Sequence, residues 1–449
     1  MMRTRSRFAA IVLGSVSLLA ATPAAAGDQA VPPEVVALIE AQAAKIRELE
    51  ARLERLEGRE RPAIDVAAAP PALSAPPATE RQPVAAMASS AAAPKPVQAR
   101  GPSIRGRVQV DALVFNNDEG SKSTGTELRR ARLGVRGEVA DGLGYVAEVD
   151  SGGNEVSLQD VYLSYELAEN LEVRAGYFRP PVTSDELTSS NYTLFLERSA
   201  YASTFGPGRR IGVAVSRWGD RWGVSGGLFG ETENADLDTE REEAWLIAGR
   251  GHVDLLAGDP ALHLGVSAYH TGLSDVGPGV WLRVRPETGR APRLLDTGAF
   301  IAESGTFLGL EAGYGAGPMT LQAEGGGVDY EGAISAPDFG GWSVQAAWRW
   351  TGEARPYDAE SGTFGRITPA RPLGQGGFGA LETGLRMTYL DLADETVDGG
   401  EMTTYGLVVN WLPVTRLRLS ANLIQARIER LRRPAVDETL LTLRTAIDW

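Results

Sequence analysis

From Ile104 to the C-terminal Trp449 the chain repeats with a period of two, and no other feature narrows the choice of fold as much. Ile104, Val108, Val110, Ala112 and Val114 alternate with Arg105, Arg107, Gln109 and Asp111. Ala131, Leu133, Val135 and Val139 alternate with Arg130, Arg132, Arg136 and Glu138. Near the end, Tyr405, Leu407, Val409 and Trp411 alternate with Thr404, Gly406, Val408 and Asn410, and Leu441, Leu443, Ile447 and Trp449 with Thr442, Arg444, Ala446 and Asp448. Residues two apart share one face of a strand, so each stretch presents one apolar and one polar face. In the second stretch one face is wholly apolar and the other strongly cationic, which a soluble sandwich has no reason to require. Repeated along a chain, such strands put the apolar face to lipid and the polar face to an interior. Sixteen of them start near residues 104, 127, 144, 156, 171, 209, 221, 243, 261, 305, 319, 341, 379, 403, 416 and 438. The reading is an all-β fold, a transmembrane antiparallel barrel of about sixteen strands over residues 101–449.

The connections carry a second pattern. Those after odd-numbered strands are mostly long, as at Pro180 to Gly208 and Gly272 to Ser304; those after even-numbered strands are mostly short, as at Asp141 to Leu143, Gly219-Asp220 and Pro413 to Thr415. Long outer loops and short periplasmic turns are the asymmetry of an outer-membrane barrel, and an even count returns both ends of the barrel to the periplasmic rim. Thr351 to Gly379 breaks the pattern, being long on the short-turn side. Either the count is off by one or this segment tucks into the pore.

Residues 1–26 have the layout of a secretory signal peptide: Arg3, Arg5 and Arg7, an apolar run from Phe8 to Ala21, and Ala24-Ala25-Ala26 before Gly27. The remainder has no run approaching the roughly 18 apolar residues of a spanning helix, so a membrane role falls to strands. Within residues 27–57, Val35, Ile39, Gln42, Ile46, Leu49, Leu53 and Leu56 share one heptad seam. That is a short periplasmic coiled coil or a single amphipathic helix on a neighbour. So short a coil needs help, which a homotrimeric barrel would supply by holding three copies together; contact with the cell wall is one role for it. Residues 58–100, rich in alanine and proline, form a flexible linker. The absence of cysteine from all 449 residues excludes disulfides and thiolate metal sites, and a net charge of −14 argues against a nucleic-acid partner.

Between the strand near 171 and the strand near 209 lies a loop of about thirty residues, long enough to be functional. It carries Tyr192, Leu194, Phe195, Leu196 and Phe205, which water would disfavour, so it is expected to fold into the lumen and narrow it. The stretch Gly176, Phe178, Arg179, Pro181, Glu186-Leu187-Thr188-Ser189, Phe195, Glu197-Arg198-Ser199, Pro207-Gly208-Arg209, Gly212-Val213 resembles the signature of the phosphate-selective porins O and P. Trp342, Gln345, Thr351-Gly352-Glu353, Tyr357, Gly362, Phe364, Ile367 and Pro369 are similar to a second block of that family, with Trp350 where the family usually has leucine. Gly379-Ala380, Glu382, Arg386, Leu390-Asp391-Leu392, Gly406 and Asn410-Trp411 make a third. The resemblance covers most of Gly101 to Trp449 and implies an outer-membrane porin for passive diffusion of small hydrophilic solutes, anionic and phosphate-like.

By alternation Arg105, Arg107, Arg130, Arg132, Arg136, Arg174, Arg210, Arg349, Arg386, Arg416, Arg418 and Arg444 face the lumen, and Arg198 and Arg209 sit on the inward loop. Guanidinium groups stay charged at any working pH and replace water around phosphate or carboxylate oxygens, so one reading is an anion path. The other is a lumen lined with both charges, each arginine paired with an inward acid such as Glu138, Glu148, Asp150 or Glu382. The cluster of Arg130, Arg132 and Arg136 beside Arg105 and Arg107 exceeds those local acids. Phosphate-transporting members of the family also use pore lysines, whereas this segment has one lysine, Lys122, and more acidic than basic residues. Glu231 to Glu243 reads as a solvated loop or a divalent-cation bridge to lipopolysaccharide, which with outer-membrane lipid is an expected partner. No cofactor and no catalysis are expected: the only histidines are His252 and His263, facing the lumen, and His270, facing lipid or rim, and no nucleophile elbow or H-E-x-x-H motif appears. A general or cation-preferring porin, or a structural tether using the coiled coil, are the competing functions.

Overall fold

The computed structural model describes residues 101–117, 122–154, 156–230, 244–273, 279–332, 336–430 and 433–449. The expected signal peptide, coiled coil and linker, and the acidic stretch 231–243, lie outside them. Sixteen antiparallel strands close into one barrel. They are β1 (Ser103–Asn117), β2 (Lys122–Ala140), β3 (Leu143–Asp150), β4 (Ser157–Ala168), β5 (Leu171–Phe178), β6 (Arg210–Trp218), β7 (Trp222–Phe229), β8 (Trp245–Asp254) and β9 (Ala261–Gly272), followed by β12 (Ser304–Ala316), β13 (Met319–Glu331), β14 (Asp338–Arg349), β17 (Ala380–Ala393), β18 (Asp398–Val414), β19 (Leu417–Arg430) and β20 (Arg433–Asp448). Two small ribbons outside the barrel pair β10 (Arg283–Val284) with β11 (Leu295–Asp296) and β15 (Tyr357–Asp358) with β16 (Thr363–Phe364). The seam closes between β1 and β20, where Gly106 and Trp449 exchange both backbone hydrogen bonds at 3.1 Å. Among the described residues no helix is long and apolar enough to cross a membrane.

The barrel strands carry rows of exposed large apolar residues on their outer face. Along β12, Leu308 and Leu310 are 59% and 64% exposed while Phe307 between Thr306 and Leu308 is fully buried. The buried apolar core therefore sits inside the lumen, built by segments that fold into it. The loop 179–209 carries two short helices, α1 (Ser184–Leu187) and α2 (Ala200–Phe205). Thr183, held at φ 50°, caps the first by accepting from Glu186 N, and Ser199 caps the second by accepting from Ala202 N. The Asp185 carboxylate joins the two turns by accepting from Ser199 N at 2.9 Å and Ser199 Oγ at 3.0 Å. Val182, Tyr201 and Phe205 pack with Val284, Leu295 and Phe300 from the connection before β12, and with wall residues Phe229, Phe307 and Leu390.

The segment between β14 and β17 enters the lumen from the opposite rim, which settles the sequence ambiguity: the count is sixteen and the long connection tucks into the pore. Proline-rich backbone has few ladder partners of its own, so the wall supplies them. Arg250 donates to the carbonyls of Ser361 (2.7 Å) and Gly362 (3.0 Å), and His252 Nε2 donates to Ala359 O at 2.8 Å.

Candidate functional site

Inside the lumen, loop 179–209 lies against β17 to β20. An extended loop inside a barrel brings carbonyls that no strand can satisfy, and a buried carbonyl needs a donor. The wall donates from side chains, one after another. Arg355, on the opposite lumen segment, donates to Tyr192 O; Arg418 Nη1 donates to Thr193 O at 2.8 Å, Asn410 to Leu194 O at 2.9 Å, Arg444 Nη1 to Leu196 O at 2.5 Å and Arg386 Nη1 to Glu197 O at 3.0 Å. Arg386 also lies 4.1 Å over the Phe195 ring. Glycine notches in the wall accept the loop's side chains: a Cβ at Gly384 would come within 2.8 Å of Leu194, and one at Gly406 within 2.6 Å of Phe195.

Glu197 is the electrostatic centre of this contact. Its carboxylate takes Arg129 (3.0 and 2.8 Å), Arg130 (2.8 Å) and Arg444 (2.7 Å), while Arg444 is also bidentate to Asp111 at 2.6 Å. Burial alone would raise its pKa, but the guanidiniums of Arg130, Arg129 and Arg444 outweigh that and hold it well below the usual carboxylate range. Arg129 is absent from the alternation reading. A β-bulge opposite Gln109 and Val110 skips it in the register, so Arg129 and Arg130 both reach Glu197.

The remaining arginines read from the sequence fall into distinct settings. Arg105, Arg107 and Arg132 gather on Glu148, with Arg132 also on Asp150 at 2.6 Å and Arg107 donating to Ser190 Oγ at 2.6 Å. Arg198 staples its own loop through the carbonyls of Asp185 (2.8 Å) and Thr188 (2.7 Å). Arg209 pairs with Asp160 at 2.9 Å, Arg174 with Glu172 at 2.8 Å, and Arg210 donates to Gly230 O. Arg349 is buried on Glu382 and the carbonyls of Glu353 and Gly317. Arg136 is exposed. Arg416 departs from the strand reading: β19 begins at Leu417, so Arg416 is an exposed turn residue and not part of the wall. His252 and His263 are buried on the lumen side, whereas His270 bonds Thr306 on the outer face.

A cavity of about 340 Å³ lies between the loop and the 279–302 segment, lined by Arg129, Arg198, Arg283, Arg285 and Arg293 together with Glu197 and Glu287. Both carboxylates are already engaged, Glu287 by Arg386 at 3.2 Å and Thr388 at 2.7 Å. The Arg285 pKa is pushed down by burial and then by Arg293, Arg129 and Arg283, the mark of crowded like charge. Arg283, Arg285 and Arg293 were not among the arginines read from the sequence. The alternation Leu282-Arg283-Val284-Arg285 is the signal that marks them, at β10, outside the barrel wall.

A closed sixteen-stranded barrel, apolar outside and narrowed within by inward-folded loops, defines a channel of the outer-membrane porin class. The chain belongs to the family described as phosphate-selective porin O and P, whose model matches residues 103–449. An uncharacterized protein of Caulobacter vibrioides is 31% identical over 451 residues, covering 92% of this chain and 88% of the relative. Similar solved structures include an anion-selective porin from Comamonas acidovorans (TM-score 0.50, 15% identity, 78% of this chain and 99% of that one). The channel DcaP of Acinetobacter baumannii (0.50, 12%, 78% and 97%) and OprB of Pseudomonas putida at high pH (0.51, 10%, 78% and 94%) are alike to the same degree. At these identities the likeness is one of fold.

Proposed function

We propose that this porin passes small anionic solutes by diffusion, and that the cavity lined by Arg129, Arg198, Arg283, Arg285 and Arg293 collects them ahead of the narrowest point. The observation that carries the reading is the charge lining it: five guanidiniums, of which Arg129, Arg198 and Arg283 pair with Glu197, Glu186 and Asp296, while among the described residues Arg285 and Arg293 have no carboxylate within ion-pair distance. The acidity of the whole chain does not oppose it, since distant charges are screened beyond a Debye length of roughly 8 Å at physiological salt. Arg105, Arg107, Arg130, Arg132 and Arg136 extend the positive wall, and the pairing of the first four with Glu148, Asp150 and Glu197 fixes where they point. A phosphate-like solute is consistent with the family; the lone barrel lysine argues for weaker phosphate preference than pore lysines would give.

Reversal potentials across a salt gradient, with and without phosphate, test this. The unmodified channel should prefer anions, and replacing Arg283, Arg285 and Arg293 with glutamine should lower the anion-to-cation permeability ratio further than replacing Arg130, Arg132 and Arg136. Cation selectivity of the unmodified channel in dilute salt would overturn it in favour of a general porin. The same reading places three copies in one assembly, with residues 27–57 as a periplasmic coiled coil on the 58–100 linker. Aspartate at Leu49 and Leu53 should then expose that segment to protease in the full-length protein; undiminished protection would rule the coil out.

A further inference from the structure

On the far side of the loop from the arginine-lined cavity, a second and smaller space lies under the loop tip at Asn191 and Tyr192. Its charged lining is Arg355, Arg366, Arg416 and Arg418 against Glu382 and Asp448. Both acids are engaged, Glu382 by Arg349 at 3.3 Å and Asn410 at 3.0 Å outside the space, and Asp448 by Arg366 of the same lining. Among the described residues Arg355 and Arg418 have no carboxylate within ion-pair distance. Each is only 8% exposed, and each keeps a buried N–H without a hydrogen-bond partner: Nε of Arg355 and Nη2 of Arg418. Two buried like charges with orphaned donors are costly unless an opposite charge joins them.

We propose that Arg355 and Arg418 bind a single monatomic anion of chloride size. The space decides the class of ligand. It measures about 20 Å³, little more than the roughly 10–15 Å³ that one water-sized sphere requires, which favours a halide over a tetrahedral oxyanion. The donors bind the ion and locate its role together. Arg355 comes from the segment between β14 and β17 and also holds Tyr192 O, while Arg418 comes from β19 and also holds Thr193 O. An anion between them ties that segment and the barrel wall to the tip of the narrowing loop, as a structural ion rather than a permeant one. The site stands independently of which solute the channel passes.

Bromide reports the site directly: in crystals of the full-length protein soaked in bromide, an anomalous peak should appear between Arg355 and Arg418. In detergent at constant ionic strength the protein should melt higher in chloride than in gluconate, with equal increments for each tenfold of chloride above the dissociation constant. Sulfate should not substitute. Arg418→Gln and Arg355→Gln should abolish the chloride increment, read within each variant as its own difference between chloride and gluconate, since each also removes a donor to a loop carbonyl. Equal melting in chloride and gluconate, or bromide confined to the large cavity, would overturn the proposal, and protection by sulfate equal to chloride would overturn the size argument. Should a variant fail to assemble, the bromide map of the unsubstituted protein decides. A cation-selective channel that still melts higher in chloride would sink the permeation reading and leave this site in place.

Discussion

At the scale of single residues, Glu197 does most to hold the narrow passage. Three guanidiniums converge on its carboxylate, and removing one partner from a buried ion pair commonly costs about 3–5 kcal/mol because charge is left uncompensated. Glu197→Gln should therefore loosen loop 179–209, seen as new protease cleavage within it and as larger, noisier single-channel currents. The pH dependence follows from the sign of the shift. A carboxylate depressed in the folded state contributes stability that is present above its unfolded pKa, near 4.5, and lost as pH falls through the folded value. The loop clamp should hold through pH 4.5 and give way only well below it, and the Gln variant should show no such acid transition in conductance. A wild-type transition centred at pH 4.5 or higher would contradict the clustered arginines as its cause.

At the scale of elements, docking of the loop depends on complementary sparseness in the wall. Gly384 and Gly406 stand where β17 and β18 meet Leu194 and Phe195, both almost fully buried. Burying two such side chains contributes about 1.5–3 kcal/mol each, and a side chain grown from the wall would displace them. Gly406→Val should cost about 1–3 kcal/mol through overpacking and raise conductance, while a substitution at exposed Leu407 on the same strand should do neither. Deleting Thr188 to Tyr201 should widen the pore further and blunt selectivity, since it removes Glu197, Arg198 and the carbonyls that position Arg386, Arg418 and Arg444. Unchanged conductance in the deletion would mean that the loop is not the constriction.

At the scale of the whole molecule, closure is decided at one seam. β1 and β20 are far apart in sequence, and their last contact is the two-way backbone exchange between Gly106 and Trp449, with the indole lying across the glycine where a Cβ would have no room. Deleting Trp449 should lower outer-membrane insertion while leaving export intact, measured as surface accessibility against total exported protein. Full surface exposure of the truncated chain would show that the seam closes without it. The interior core built by loop and wall also implies that barrel and constriction are one cooperative unit, so Glu197→Gln and Gly406→Val should couple when combined, not add.

Strand number, strand faces, the asymmetry of long and short connections, and the inward course of loop 179–209 were all determined by the sequence alone. Each is a local property: a period of two states which face a residue takes, and prolines and glycines state where a strand must end. Partners were decided only by the tertiary structure. Alternation turned Arg386, Arg418 and Arg444 inward but could not say that they would meet loop carbonyls some 190 to 250 residues away in the chain. It missed Arg129, because a bulge skips one residue in the register, and it put Arg416 on a strand where the chain makes a turn. Arg283, Arg285 and Arg293 escaped it for a related reason: they belong to a segment folded inside the barrel, where closing distance in space, and not periodicity along the chain, decides which charges gather.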